Sequence, residues 1–260
     1  MTTTWTKTYT DLQTRRTAAA NHQWLTQQMR ALSTPMQLAR LQQTNPRELT
    51  FDYVFGHHAR PRDLVMIAGT MGHFHQAVHR TALHQARLDR PFRADPDLSI
   101  PDFIAARRDR IRAHLKNSRV PAPALTADQA VQAIEAAADA PASIYADANL
   151  RNLLVDGSRV TMVDYDCLTL APFGYDLAKL IVSLAMTHGP LRPVTIGDAL
   201  TAYNHALTAA PHPLPVVPWR ELMQWTEIHH ILTSPYLGRH CYRHSWHQTR
   251  PTPHHPPRTD

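Results

Sequence analysis

The segment Ile144–Asp166 reads IYADANLRNLLVDGSRVTMVDYD. It gathers four aspartates and two asparagines in a chain that has only 21 acidic residues, so the acids are concentrated rather than scattered. Ser143–Tyr145, Asn152–Val155 and Arg159–Val163 read as short strands, and the Asp156–Gly157 pair between the last two is a hairpin signal. Asp156 is thereby explained, because Asp and Asn stabilise turns. Turn chemistry does not explain Asp147, which precedes Asn152 by five residues in the loop before the hairpin, or Asp164, which ends the returning strand.

Phosphoryl transfer from a nucleotide asks for this set: a carboxylate beside the attacking hydroxyl, and oxygen ligands for a magnesium ion that neutralises charge on the phosphates. A hairpin between Asn152 and Asp164 brings two such ligands to one ion, with Asp147 beside them in the loop. The order of these residues, continued by Val163–Tyr165 and by Tyr175, Asp176, Leu177 and Ala178, resembles the aminoglycoside phosphotransferase and choline kinase branch of the protein-kinase-like fold. The match runs from Tyr145 to Ala178. The resemblance implies an α+β, protein-kinase-like chain with a reduced N-terminal lobe and a mainly helical C-terminal lobe, using ATP and Mg2+. It implies Asp147 as catalytic base or hydroxyl-orienting carboxylate, Asn152 and Asp164 as magnesium ligands, and Asp176 as a structural acid bonding the catalytic loop. Tyr145 stands where that family has a histidine, and is expected to hold the loop through its hydroxyl or ring. Asp166 reads either as a supporting acid or as a turn residue.

Upstream, Glu48–Phe55 alternates and reads as a strand ended by Gly56. Under the resemblance it is the hinge strand, with Phe51, Asp52, Tyr53 and Val54 beside adenine. No glycine precedes Gly56, so the Gly-rich loop that covers the phosphates in kinases is not in this stretch. Lys7 is either the phosphate-pairing lysine of the small lobe or a surface lysine near the terminus. The glutamate expected to pair with it is missing: the aligned helical position falls near Asn21 or His22, and the only acids before Asp52 are Asp11 and Glu48.

Two functions fit this mixture. One is an active phosphotransferase whose phosphate lid is supplied by a partner protein or is dispensable; the other is a pseudokinase serving as a binding or scaffolding subunit. Convergent acids favour the first, because like charges cost stability without an ion. For the acceptor, Arg107, Arg108, Arg110 and Arg112 on one short basic helix disfavour a polycationic aminoglycoside. A peptide Ser/Thr, modified together with a partner lyase as in lanthipeptide-type biosynthesis, is the preferred acceptor, and a small-molecule hydroxyl is its rival.

Around this centre the chain is helical. Asp11–Ala31 lacks Gly and Pro, and Leu64, Ile67, Ala68, Met71, Phe74 and Val78 recur at three to four residues after Pro61. Pro101 is expected to open the basic helix, and Thr126 with Gln129 forms a capping box. Tyr175–Met186, Gly197–Ala209 and Trp219–Leu232 complete the set. The expected division is a truncated small lobe with hinge strand over 1–55, a large lobe over 56–240, and a disordered tail over 241–260, rich in Pro, Arg and His. With 43% hydrophobic residues the chain can fill a core, and its longest apolar runs are too short to span a bilayer, so a soluble cytoplasmic protein is expected. Cys167 and Cys241 give no disulfide or metal-type spacing. The net charge of +6 comes without a nucleic-acid motif, which argues against a nucleic-acid partner. His240, His244 and His247 have helical spacing that suits zinc, but no set of ligands completes the site.

Overall fold

In the computed structural model, which describes residues 3–31, 35–209 and 211–251, the chain is α+β. The first elements are β1 (Thr4–Thr8), α1 (Leu12–Ala31), β2 (Met36–Leu38), β3 (Leu41–Thr44), β4 (Glu48–Asp52) and β5 (His57–His58). They are followed by α2 (Leu64–Val78), β6 (Phe92–Asp95), β7 (Leu98–Ile100), α3 (Ala105–Lys116) and α4 (Ala127–Ala136). The remainder is β8 (Ala142–Tyr145), β9 (Leu153–Asp156), β10 (Arg159–Met162), β11 (Thr169–Pro172), α5 (Tyr175–His188), α6 (Pro193–Thr208), α7 (Trp219–Thr233) and α8 (Trp246–Thr249).

Asp11 starts α1 by accepting from the Thr14 amide at 2.7 Å and the Thr14 hydroxyl at 2.6 Å, which satisfies an otherwise orphaned N–H of the first turn. The apolar stripe Leu64, Ile67, Met71, Phe74 and Val78 is buried along α2, as its spacing predicts. Gly72 lets α2 lie against α6, since a Cβ there would stand 2.5 Å from the Tyr203 carbonyl oxygen. The capping box of Thr126 and Gln129 forms at the start of α4. The basic helix begins at Ala105 rather than Pro101, because Asp102 caps it, accepting from the Ile104 and Ala105 amides at 2.8 and 2.7 Å. The hinge strand stops at Asp52, short of Phe55. Gly56 then passes the β9 backbone at φ +143, so close that a Cβ would meet the Val155 carbonyl oxygen at 2.7 Å.

The N-terminal sheet has the order β1-β4-β3, all antiparallel, with Lys7 opposite Leu49. The outer edge of β1 is unpaired among the described residues. A small core of Tyr9, Ala18, Ala19, Ala39, Leu49 and Phe51 lies behind it. The hairpin β9–β10 sits in a second sheet of order β2-β10-β9-β5, in which β2 runs parallel to β10. Trp24, Leu25 and Met36 join the large helical core, so the expected boundary at residue 55 is crossed by both a strand pairing and packing.

The expected disordered tail is corrected over its described part, 241–251. Trp246 is fully buried, with its indole N–H donating to Glu227 Oε1 at 2.8 Å, and Tyr242 is buried beside α5. Composition misled here because two aromatic anchors outweigh many Pro and His residues; 252–260 lie outside the described residues. No described helix is long and apolar enough to cross a membrane. Among the described residues, no group of three His, Cys, Asp or Glu side chains is placed to hold a metal ion, and this includes His240, His244 and His247.

Candidate active site

Asp147 leaves β8 in the left-handed backbone region, at φ +50, and Asp164 leaves β10 in the same region, at φ +67. Asp tolerates this conformation better than most residues, and strained backbone concentrates at functional sites. The loop from Asp147 is pinned from two sides. Asp176, buried in the first turn of α5, accepts from the Ala146 and Ala148 amides, both at 3.0 Å. The Asn152 side-chain amide donates to the Asp147 carbonyl oxygen at 2.9 Å, which leaves its Oδ1 without a protein donor among the described residues. The Asn152 carbonyl in turn accepts from Val163 N–H at 2.9 Å, so the hairpin closes beside Asp164.

Tyr145 donates its hydroxyl to Asp147 Oδ1 at 2.8 Å. Burial, and then the Asp147 charge, push this phenol well above its usual pKa, so it stays a donor. From the other side Lys179 of α5 stands 3.6 Å from the same oxygen. Burial works against the Lys179 charge, but Asp147, Tyr242 and Tyr175 together outweigh it and the pKa lies above the ordinary lysine value. Tyr242, from the segment expected to be disordered, accepts from the Asn149 amide of the loop at 2.9 Å and faces Lys179 with its ring.

Lys7 is no stray surface lysine. Its ammonium sits 2.8 Å from both Asp164 Oδ1 and Asp166 Oδ2, and Tyr9 donates to Asp166 at 3.1 Å. Burial opposes the charge, but the two carboxylates outweigh it and raise the Lys7 pKa. Asp166 therefore faces Lys7 in place of the expected helical glutamate, and the helical residue Asn21 instead donates to the Tyr165 carbonyl at 2.9 Å, tying α1 to the loop after β10. His22 bonds to the Ala39 carbonyl at 2.7 Å and lies outside this cluster of charges.

Two cavities flank the loop. One, of about 410 Å3, lies between the N-terminal sheet and the hairpin and brings together Lys7, Asn152 and Asp164 with the hinge residues Phe51, Asp52, Tyr53 and Val54. Trp5, on β1, also lines it, with its ring centroid 6.0 Å from that of Phe51. Asp52 is engaged by Gln42 at 2.6 Å, and the Tyr53 amide donates to the Thr3 carbonyl at 2.9 Å. The other cavity, of about 380 Å3, lies on the helical side and holds Asp147, Tyr145 and Lys179. Arg151 lines both, which places it where the two meet.

Sequence reading missed Lys179, Tyr242, Trp5 and the pairing of Lys7 with Asp166. Lys179 carried a signal: it is the one charged residue in the run LAKLIVSLAM, and a lysine inside an apolar helix is rarely buried without a partner. The others depend on contacts 46 or more residues apart and had no local signature.

The sequence model of the phosphotransferase enzyme family matches residues 7–214. The chain belongs to that family. Its architecture is that of solved structures at low identity, which gives it the protein-kinase-like fold. An aminoglycoside phosphotransferase from Streptomyces rimosus, in complex with ADP and streptomycin, is 13% identical at a TM-score of 0.54, over 86% of this chain and 84% of the other. A type I macrolide 2'-phosphotransferase is 12% identical at 0.54, over 96% and 84%. A choline/ethanolamine kinase family protein from Mesorhizobium loti is 14% identical at 0.52, over 85% and 67%. Among curated protein sequences, none matches the chain.

Proposed function

We propose that this chain transfers the γ-phosphoryl group of ATP to a hydroxyl group of a small molecule, with Asp147 as base and Asn152 and Asp164 as the ligands of Mg2+. The observation that carries this reading is the convergence, at the two ends of one hairpin, of a carboxylate lining one cavity and two hard oxygen ligands lining the other. The donor set suits magnesium: Asn152 Oδ1 is left free by its own amide, and Asp164 is half exposed and already attracts a cation, Lys7. When bound there, the ion would offset charge on the phosphates. Phe51–Val54 and Trp5 would hold the adenine, and Lys7 would turn from the two aspartates toward the phosphates.

In the transfer step Asp147 accepts the acceptor's hydroxyl proton as its oxygen bonds to the γ-phosphorus and the bond to the ADP oxygen breaks. Tyr145 and Lys179 hold the carboxylate for this task; Asp176 holds the loop. The acceptor cavity, at about 380 Å3, is the size of a small-molecule site, which favours such a hydroxyl over the peptide Ser/Thr expected from the resemblance. Radiolabelled ATP supplied with magnesium and a panel of hydroxy compounds tests the reading. Transfer or slow hydrolysis that depends on Asp147 supports it, whereas binding of MgATP with no turnover under any condition would leave a pseudokinase.

A further inference from the structure

The acceptor cavity has a charge pattern that the transfer reaction does not account for. Its walls carry four side-chain cations, Arg107, Arg110, Arg151 and Lys179, against a single carboxylate, Asp147. Lys179 is spoken for, since it stands on Asp147 at 3.6 Å. The other three have no carboxylate partner among the described residues. Arg107 is buried and held by neutral groups: it donates to the Phe103 carbonyl at 2.9 Å, the Tyr175 hydroxyl at 3.0 Å and the Thr169 hydroxyl at 2.8 Å. Its planar group also lies against the Tyr145 and Tyr175 rings. Arg110, one helical turn along α3, is exposed to the cavity and makes no hydrogen bond or ion pair among the described residues. Among the described residues the Arg151 guanidinium has one hydrogen-bond partner, the ring nitrogen of His240 at 3.4 Å.

This is not the ordinary solvated face of a basic helix. Arg108, on the same helix, points elsewhere and is paired with Asp109 and Glu135. Nor do the nucleotide phosphates explain it, because Arg107 and Arg110 line only the acceptor cavity. His229, in the same wall, is held well below its usual pKa chiefly by burial, with Lys179 and Arg107 adding to the effect. Like charges converging on a cavity cost stability unless an anion completes them.

Building on the phosphotransferase reading, we infer that the acceptor is an anionic hydroxy compound, carrying a phosphate or carboxylate that Arg110 and Arg151 bind while its hydroxyl faces Asp147. Fork-shaped guanidinium groups suit such oxyanions, and a polycationic acceptor is repelled by the same walls.

Calorimetry on the full chain, with and without MgADP, separates this inference from the reading beneath it. The probes are glycerol 3-phosphate and ribose 5-phosphate, set against glycerol, ribose and choline. The phosphorylated probes should bind at least tenfold more tightly than their uncharged counterparts. Arg110→Glu should lose that preference with MgADP affinity unchanged, which also shows that the variant folds. Arg112→Glu, the same charge change at an exposed position of α3 that lines neither cavity, should leave it intact. Absence of anion binding, equal binding of glycerol and glycerol 3-phosphate, preference for choline, or loss of anion binding in Arg112→Glu each overturns the inference. If anions bind as expected and MgATP neither binds nor is turned over, the cationic site stands and the phosphotransferase reading falls.

Discussion

The Tyr145 hydroxyl reaches Asp147 Oδ1 at 2.8 Å. A hydrogen bond to a charged group contributes about 1.5–3 kcal/mol, and here it fixes which way the carboxylate faces. Tyr145→Phe should therefore lower kcat by roughly tenfold or more while leaving the KM for ATP within about twofold, as measured by steady-state kinetics. A change confined to KM for ATP would show that the ring serves the nucleotide side. Lys7 predicts the converse. Its charge is shared by Asp164 and Asp166, so Lys7→Met should weaken MgATP binding and also leave two carboxylates facing each other without their ammonium. Adding Asp166→Asn to Lys7→Met should recover part of the stability lost, seen as a higher Tm in the double variant; a further fall in Tm would mean that Asp166 has another role.

Among the elements, the hairpin and the helices were legible, and the C-terminal segment was not. The Asp147, Asn152 and Asp164 spacing lies within 18 residues of chain, short enough for local rules to place the loop, the two strands and the turn. The α2 stripe and the α4 capping box are likewise written in neighbouring residues. Strand β2 was invisible because a three-residue strand has no periodicity to read, and it exists through its pairing with β10. Residues 241–251 read as disordered because composition cannot show that Trp246 fills a gap beside α5 and α7, or that Tyr242 meets Asn149, 93 residues away. Removing a fully buried aromatic side chain costs about 3–5 kcal/mol. Trp246→Ala should show a loss of that order in urea denaturation, and a loss below about 1 kcal/mol would mean that the segment is not docked in solution.

For the molecule as a whole, charge sets both the pH range and the reaction. His229 is buried and its pKa is pushed well below the free value, and burial also lowers His22 and His79. In the unfolded chain these histidines protonate near their ordinary pKa of about 6.5. Below that pH the unfolded state binds more protons than the folded one, so stability falls on acidification, by up to about 1.4 kcal/mol per pH unit for each proton taken up. Denaturation between pH 7.5 and 5.0 should show this decline, and His229→Gln should flatten part of it; stability that rises on acidification would contradict the assignment.

In the proposed reaction the labour is divided across the hairpin: Asp164, after β10, would hold the metal-nucleotide complex in one cavity, and Asp147, after β8, would act on the acceptor in the other. Calorimetric titration of the wild-type chain, Asp164→Ala and Asp147→Asn with MgATP, paired with phosphate transfer by each, tests it most directly. Asp164→Ala should lose MgATP affinity by tenfold or more. Asp147→Asn should bind MgATP as the wild type does while its turnover drops by about 100-fold to 10,000-fold, the range of a lost general base. Equal loss of MgATP binding in both variants, or none in either, would contradict it.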